Sequence, residues 1–424
     1  MSNLEAIQSF SAVKGEPSWM SAKRQKAFEV IDQLALPVIE RVRYHRWPLF
    51  DGDFAQEDEL IGNVADFSQL SDNPLVVQNG AQTVLEQLPQ ELIEQGVIFT
   101  DIFTAMREHE SLVQKYFMTT ALKADEDKLS AWHQAYFNSG VFLYIPKNVE
   151  VTLPIEAIFY QNSYSKTPFN KHVLIVAEEN SKLEYLERFQ TAGGGDVQIS
   201  ANIVVEVIAK NGARVKFSAV DRLGKNVTTF ISRRGHVLKD AMIDWALGVM
   251  NDGNVIADFD SDLVGNGAHA ELKAVAISTG KQVQGIDTRV TNFGQHSIGH
   301  ILQHGVILEA GTLTFNGIGH IIRGAKGADA QQESRVLMLS DKARSDANPI
   351  LLIDENEVTA GHAASIGRVD PEELYYLMSR GIPQHEAERL VIRGFLGAVI
   401  TAIPLREVQE EFIEVIEKKL AKGH

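Results

Sequence analysis

Between residues 140 and 366 apolar and polar positions alternate in short β-branched runs, such as GVFLYIPKNVEVTLPIEAIFYQ from 140 and HVLIVAEENSKLEYLERFQ from 172. Period-2 alternation of this length is the pattern of strands. Turn residues punctuate the runs at Asn211-Gly212, Gly224-Lys225-Asn226, Arg234-Gly235, Asn251-Asp252-Gly253, Gly265-Asn266-Gly267, Gly280, Gly294, Gly311 and Gly324, roughly 11 to 18 residues apart. No segment between them has the length and 3.6-residue period of an amphipathic helix. A β-sandwich has similar spacing but stops after about seven strands, whereas this rhythm persists for about 200 residues. A stack of coils, each burying its inner face on the next, accounts for that persistence. The pattern therefore predicts a mainly β chain built on a right-handed parallel β-helix, with a large sandwich or barrel as the alternative.

Helical patterns flank this core. Residues 21–36 (SAKRQKAFEVIDQLAL), 101–122 and 125–138 carry apolar residues three and four apart, and the first stops at Pro37, which assigns 1–139 to a mostly helical region. At the other end, the period changes from 2 to 3.6 within 357–395, and His362 sits at that junction between Gly361 and a run of small residues. Asp370-Pro371-Glu372-Glu373 opens a helix, with Asp as cap, Pro in the first turn and acids where the helix dipole favours them. Gly381 ends it, Pro383 opens the next as far as Pro404, and an amphipathic segment over 405–421 closes the chain. These divisions give a β-helix core over 140–366 and a helical region over 367–424. The two helical regions are expected to cover the ends of the solenoid, because stacked coils need end caps.

Composition narrows the function. With 44% apolar and 23% charged residues the chain reads as globular. Its formal charge of −16 disfavours a nucleic acid or an anionic membrane as the main partner. No run approaches the length of a membrane span, and the N-terminal MSNLEAIQSFSAVKGEP lacks the basic lead and apolar stretch of a signal peptide; a cytoplasmic location is expected. Cysteine is absent, which removes disulfides, thiolate nucleophiles and Cys-only metal or cluster sites within this chain.

Among candidate chemical groups, His296, His300 and His304 are evenly spaced in QHSIGHILQHG, with His320 and His362 further along. Even spacing places the first three on one face of an extended strand, so a metal contact is conceivable, although no HExxH and no adjacent acidic ligand pattern accompanies them. Asp258, Asp260 and Asp262 alternate in ADFDSDL and share a strand face, read here as solvated. The glycine-rich GIGHIIRGAKG over 317–327 is not a phosphate loop, since Lys326 is followed by Gly327. No GxSxG elbow is present. Tyr375, Tyr376, Leu377, Met378 and Arg380 crowd one short helix that has no single face for all of them, and these residue types are common at interfaces.

The segments HAASIGRVD, YYLMSRGI and GVFLYIPKNVEVTLPI, within a likeness over roughly residues 95 to 405, resemble the SufB/SufD family of iron–sulfur cluster assembly proteins. The lack of cysteine makes the chain similar to the SufD branch, because SufB carries the cluster cysteine. The resemblance implies a β-helix flanked by helical regions, acting as a non-catalytic scaffold in a cytoplasmic complex with SufB and the ATPase SufC. It implies pairing with SufB through the β-helix core, and docking of SufC on helices that here contain Tyr375, Tyr376, Leu377, Arg380 and Gly381. It also implies a cluster built transiently at the SufB interface opposite His362, with no cofactor held stably by this chain alone. A homodimer is expected when the chain is isolated. Imidazole does replace thiolate on some iron–sulfur clusters. Two other classes fit the core without the resemblance: a β-helix polysaccharide-active enzyme using the Asp258, Asp260 and Asp262 face, and a self-associating structural protein.

Overall fold

The computed structural model describes residues 3–50, 73–401 and 406–422. Early strands β1 (Leu75–Asn79), β2 (Gln82–Gln87) and β3 (Ile98–Asp101) precede β4 (Ser139–Ile145), β5 (Ile155–Asn162), β6 (Phe169–Ala177), β7 (Lys182–Ala192), β8 (Ile199–Ala209) and β9 (Arg214–Arg222). There follow β10 (Val227–Val237), β11 (Met242–Val249), β12 (Val255–Leu263), β13 (His269–Ser278), β14 (Val283–Asn292), β15 (Ile298–Ile307), β16 (Thr312–Ile321), β17 (Asp329–Met338), β18 (Arg344–Ile353) and β19 (Thr359–Arg368). From β4 onward the even strands form one sheet and the odd strands another, each strand pairing in parallel with the next but one. The result is a parallel β-solenoid of about eight turns.

Each coil turns one corner through a residue in the left-handed region: Asn148, Asn180, Gly212, Asp240, Gly267, His296 and Gly327, at φ between 54° and 73°. Asn, Asp and Gly tolerate that conformation best. The amide of each corner residue donates to a carbonyl of the next coil, as in Asn180 to Asn211 at 2.9 Å and His296 to Lys326 at 2.9 Å. His296 is thus a corner residue and not a strand residue.

The interior is a stack of apolar side chains from both sheets. Tyr185, Phe217 and Trp245 occupy one register column with ring centroids 5.2 and 4.7 Å apart, a spacing that favours tilted aromatic contacts. Within this apolar column space lies a buried ionic group: Arg233 is buried between Glu187 and Asp221 at 2.6 and 2.8 Å. Burial pushes the Glu187 carboxyl up to about 7 against the pull of Arg233.

Helices α1 (Asn3–Lys14), α2 (Ser18–Val30), α3 (Gln90–Glu94), α4 (Ile102–Glu108), α5 (Glu110–Tyr116) and α6 (Lys128–Tyr136) precede the regular coils; α7 (Pro371–Ser379), α8 (Gln384–Ile400) and α9 (Arg406–Lys422) follow them. Residues 1–139 are less purely helical than the sequence pattern predicts, because Val76-Val77, Val84-Leu85 and Ile98-Phe99 form short strands, the first and third paired with the solenoid's first coil and the second with the first. The helix predicted over 101–122 breaks at His109 into two. The helices also lie elsewhere than expected. They run along the outer faces of the sheets, the N-terminal set on the even sheet through Phe142, Leu174 and Val204 and the C-terminal set on the odd sheet through Val275, Val306 and Leu337. One end is closed instead by antiparallel β2 and β3.

A buried polar chain fastens the N-terminal helices to the even sheet. Asn202 Oδ1 accepts from His133 Nδ1 at 3.0 Å, His133 Nε2 meets His172 Nδ1 at 3.0 Å, and His172 Nε2 lies 3.3 Å from Glu206 Oε1. Burial pulls His172 down to about 3 and pushes Glu206 up to about 8, although the Met118 and Leu122 amides oppose the latter shift. His172 Nε2 makes no hydrogen bond of its own, while Glu206 Oε1 accepts from the Met118 amide at 2.7 Å. Because the folded pKa of Glu206 lies above its ordinary value, its contribution is complete in acid and is lost as pH rises toward about 8. Between about pH 6.5 and about pH 8, the wild-type protein should lose on the order of 2 kcal/mol of stability relative to Glu206→Gln. Thermal or urea unfolding at both pH values checks this, and a constant difference between the two proteins would contradict it.

Candidate functional site

The solenoid's other end is open among the described residues. Strands β18 and β19 are bonded on one side only, to β16 and β17, and β19 is exposed at nine of its ten positions. The interior changes character as this end is approached. The inward column running from Leu272 through Ile301 continues as Gln332 and ends at His362, so apolar stacking gives way to polar side chains over the last two coils.

Gly317 opposite leaves room for them, since a Cβ there would lie 2.5 Å from Gln332 Oε1 and 3.4 Å from Gln303 Oε1. Ser334 Oγ donates to Gln303 Oε1 at 2.6 Å and Gln332 Nε2 donates to the Ile350 carbonyl at 2.8 Å. Gln332 Oε1 and Gln303 Nε2 are buried without a hydrogen-bond partner, which is costly in a closed core. His362 lies exposed at the mouth of this polar tip, and a solvent-facing imidazole on a rigid strand has the chemistry of a metal ligand.

The helical tail supplies a second surface. Glu411 accepts from Arg188 and Arg222 at 2.8 Å each, and Lys419 donates to Asp252 at 2.6 Å. Ile392, Leu396, Phe412 and Ile416 pack on the odd sheet. Helix α7 has no buried residue: Tyr375 is 74% and Tyr376 58% exposed, Leu377 is half-buried, and the Arg380 guanidinium stands 5.3 Å from the Tyr376 ring centroid. Asp370 caps α7 by accepting from the Glu372 amide at 2.8 Å, and Gly381 terminates it at φ 88°. A groove of about 670 Å³, lined in part by Glu333, Ser365, Arg368 and Phe395, separates the last coils from α7 and α8.

The remaining histidines disperse. His300 and His304 do share the outward face of β15, but His296 is held in the corner before it. The His304 ring stacks on Phe395 at 4.8 Å and its Nδ1 donates to the Phe395 carbonyl at 2.8 Å, which fixes α8 to the sheet. His320 faces Asp354 at 3.6 Å. His300 meets an acidic partner that local spacing conceals, because Glu271 lies across the ladder one coil earlier. Glu271 Oε1 accepts from His300 Nδ1 at 3.0 Å and His269 Nε2 at 2.7 Å. Burial opposes its ionisation, yet those two imidazoles draw its carboxyl down to about 2, and the hydrogen bond to Glu271 raises His300 despite burial.

The Asp258, Asp260 and Asp262 face is not solvated. Arg234 donates to Asp258 at 2.7 Å and to Asp260, and also reaches Glu126 at 3.1 Å; Asp260 is buried. Arg234 thus occupies this acid face, and Glu126 of the N-terminal region lies over it.

The description "SUF system FeS cluster assembly, SufBD core domain" matches residues 159–395, and "SufBD protein N-terminal region" matches residues 8–157. The chain belongs to the SufBD family. It takes part in iron–sulfur cluster assembly within the SUF machinery. This SufBD chain is 45% identical to the iron-sulfur cluster assembly protein SufD of Bacillus subtilis (strain 168), over 98% of its own length and 97% of that protein. It is 26% identical to an iron-sulfur cluster assembly SufBD family protein of Staphylococcus epidermidis (strain ATCC 12228 / FDA PCI 1200), over 95% of its length and 90% of the relative. The core match reaches from β5 into α8, so it includes the open end with His362 and the whole of α7. No helix of the described residues is long and apolar enough to cross a membrane.

The tail's seat on the sheet depends on Gly248, where a Cβ would come within 1.9 Å of the Phe412 ring. Gly248→Val should displace Phe412 and loosen α9, costing roughly 1–3 kcal/mol as overpacking does. Limited proteolysis should then cut near the tail while the solenoid fragment stays intact. An unchanged cleavage pattern would show that Phe412 simply moves aside.

Proposed function

We propose that this SufBD protein is a non-catalytic scaffold that pairs with SufB through the open end of its solenoid and receives the SufC ATPase on α7 and the start of α8. The observation that carries the proposal is the uncovered last coil with His362 at its mouth. Long exposed edge strands invite pairing with another chain, and the exposed Leu352, Ile353 and Ile366 supply apolar contact beside them. A SufB chain seated there would close the polar tip and bring a cysteine opposite His362. The iron–sulfur cluster would be held there transiently, as cargo of the complex, with this cysteine-free chain contributing imidazole in place of thiolate.

Tyr375, Tyr376, Leu377, Met378 and Arg380, with Gly381 ending the helix, offer the aromatic, sulfur and guanidinium groups typical of an interface core. ATP chemistry belongs to SufC on this reading, in keeping with the lack of a phosphate loop in this sequence. In the absence of SufB the same edge is available to a second copy of the chain, giving a homodimer. Assembly takes place in the cytoplasm.

His362→Ala should leave SufB and SufC recovery unchanged in a pull-down of the tagged chain, while abolishing cluster maturation by the assembled complex. Normal maturation by that complex would remove the ligand role. Tyr376→Glu combined with Arg380→Glu should lose SufC and keep SufB, since like changes at interface centres commonly cost 2 kcal/mol or more, about 30-fold in affinity. Retained SufC would place the docking surface elsewhere.

A further inference from the structure

His269, Glu271 and His300 each offer a ligand atom within 4.8 Å of the others, the one such group of three among the described residues. We propose that they form a binding site for a divalent first-row transition cation, separate from His362 and on the outer face of the odd sheet. The inference does not depend on the proposed partners.

Geometry is the first argument. His269 and Glu271 stand two residues apart on β13 and so share its outward face, while His300 lies directly across the parallel ladder from Glu271. Both strands are bonded on each side, β13 between β11 and β15 and β15 between β13 and β17, so the three side chains start from a fixed frame. His269 Nε2 and His300 Nδ1 converge on one carboxylate oxygen at 2.7 and 3.0 Å. Bonds of 2.0–2.1 Å to a tetrahedral cation set ligand atoms roughly 3.3 Å apart, so each imidazole nitrogen stands within a few tenths of an ångström of the separation from the Glu271 oxygen that a metal needs. Their side chains are 24–35% exposed, which leaves a path for the ion and a position for water.

The second argument is an unpartnered atom. His300 Nε2 is buried with no hydrogen bond, and Asp329 Oδ2 stands 3.7 Å away. In the metal-free arrangement Nδ1 carries the proton toward Glu271. Coordination through Nδ1 moves that proton to Nε2, where Asp329 is placed to accept it, the carboxylate–histidine–metal relay that orients ligating imidazoles. Two imidazoles and one carboxylate with an open position suit zinc(II) or iron(II). Lys273, the next residue along this face, is already engaged by Asp244 at 2.6 Å and so is not directed at the site.

The full-length chain, stripped with a chelator and dialysed, is titrated with zinc(II) alone and with cobalt(II) alone near neutral pH. The wild-type protein should bind one equivalent that His300→Ala, His269→Gln and Glu271→Gln each lose, with cobalt giving the absorption of a low-coordinate nitrogen and oxygen site. Asp329→Asn should weaken the same equivalent by roughly 10- to 100-fold through the relay, and His362→Ala should leave it in place. Unfolding curves without metal confirm that each variant is folded, and the three ligand substitutions guard against the failure of any one. The proposal is overturned if the ligand variants bind as wild type does, or if the equivalent disappears with His362→Ala.

Discussion

Every coil of this protein depends on the next one for two things at once: partners for its backbone amides and carbonyls, and an apolar surface to cover its interior. A parallel ladder supplies both only while another coil follows. At the early end the chain meets this requirement itself by folding β2 and β3 back in antiparallel fashion. At the late end no described residue does so. Ten residues of β18 and ten of β19 keep one edge unpaired, and edge strands of that length are ordinarily blunted by charge, proline or a covering element. Here the helices that would serve as covers lie along the outer faces of the sheets, fixed by contacts such as Phe412 on Gly248 and Glu411 between two arginines.

That placement joins two surfaces with little chain between them. Strand β19 ends at Arg368 and α7 begins at Pro371, so only Val369 and Asp370 separate the exposed edge from the exposed aromatic helix. The tail beyond is held to the odd sheet by an apolar cluster and by ion pairs, and His304 fastens α8 through Phe395. Helix α7 packs against α8 and is parted from the last coils by the groove beside Ser365 and Arg368, so its direct link to the last coil is the Val369-Asp370 connector. On the assembly reading, work done at the ATPase would reach the cluster interface by this short connection.

The solenoid itself was legible in the sequence because its two signals are local: alternation along each strand and a turn residue at each corner. Signals that span a coil were not. His296, His300 and His304 look equivalent in sequence, yet His296 supplies a left-handed corner and the other two face different neighbours. Glu271 sits one full coil before His300, a separation that has meaning only once the register is fixed; the His-x-Glu pair at 269–271 on a predicted strand was the available hint. Asp258, Asp260 and Asp262 do alternate on one strand face, but only the ladder brings Arg234 across from Asp260 and the N-terminal region over them. The exposed place of His362 on the last strand does match a local signal, the change of period at that point of the sequence.

The polar tip gives the open end a chemical character and not merely an unfinished one. A solenoid that needed only to stop would carry its apolar column to the last coil and shield it with a polar cap. This chain instead replaces Leu272 and Ile301 with Gln332 and His362 along the same column, and leaves Gln332 Oε1 and Gln303 Nε2 buried without partners. Unpaired buried polar atoms oppose folding, so their presence in two consecutive coils sets local stability against what the end must do. A purely apolar end would bind a sister coil through dispersion and burial alone and would solvate no ion. A polar end with an imidazole at its mouth binds less tightly by area, and on the proposed reading it would provide the surroundings in which a cluster's charge is accommodated while a thiolate arrives from another chain.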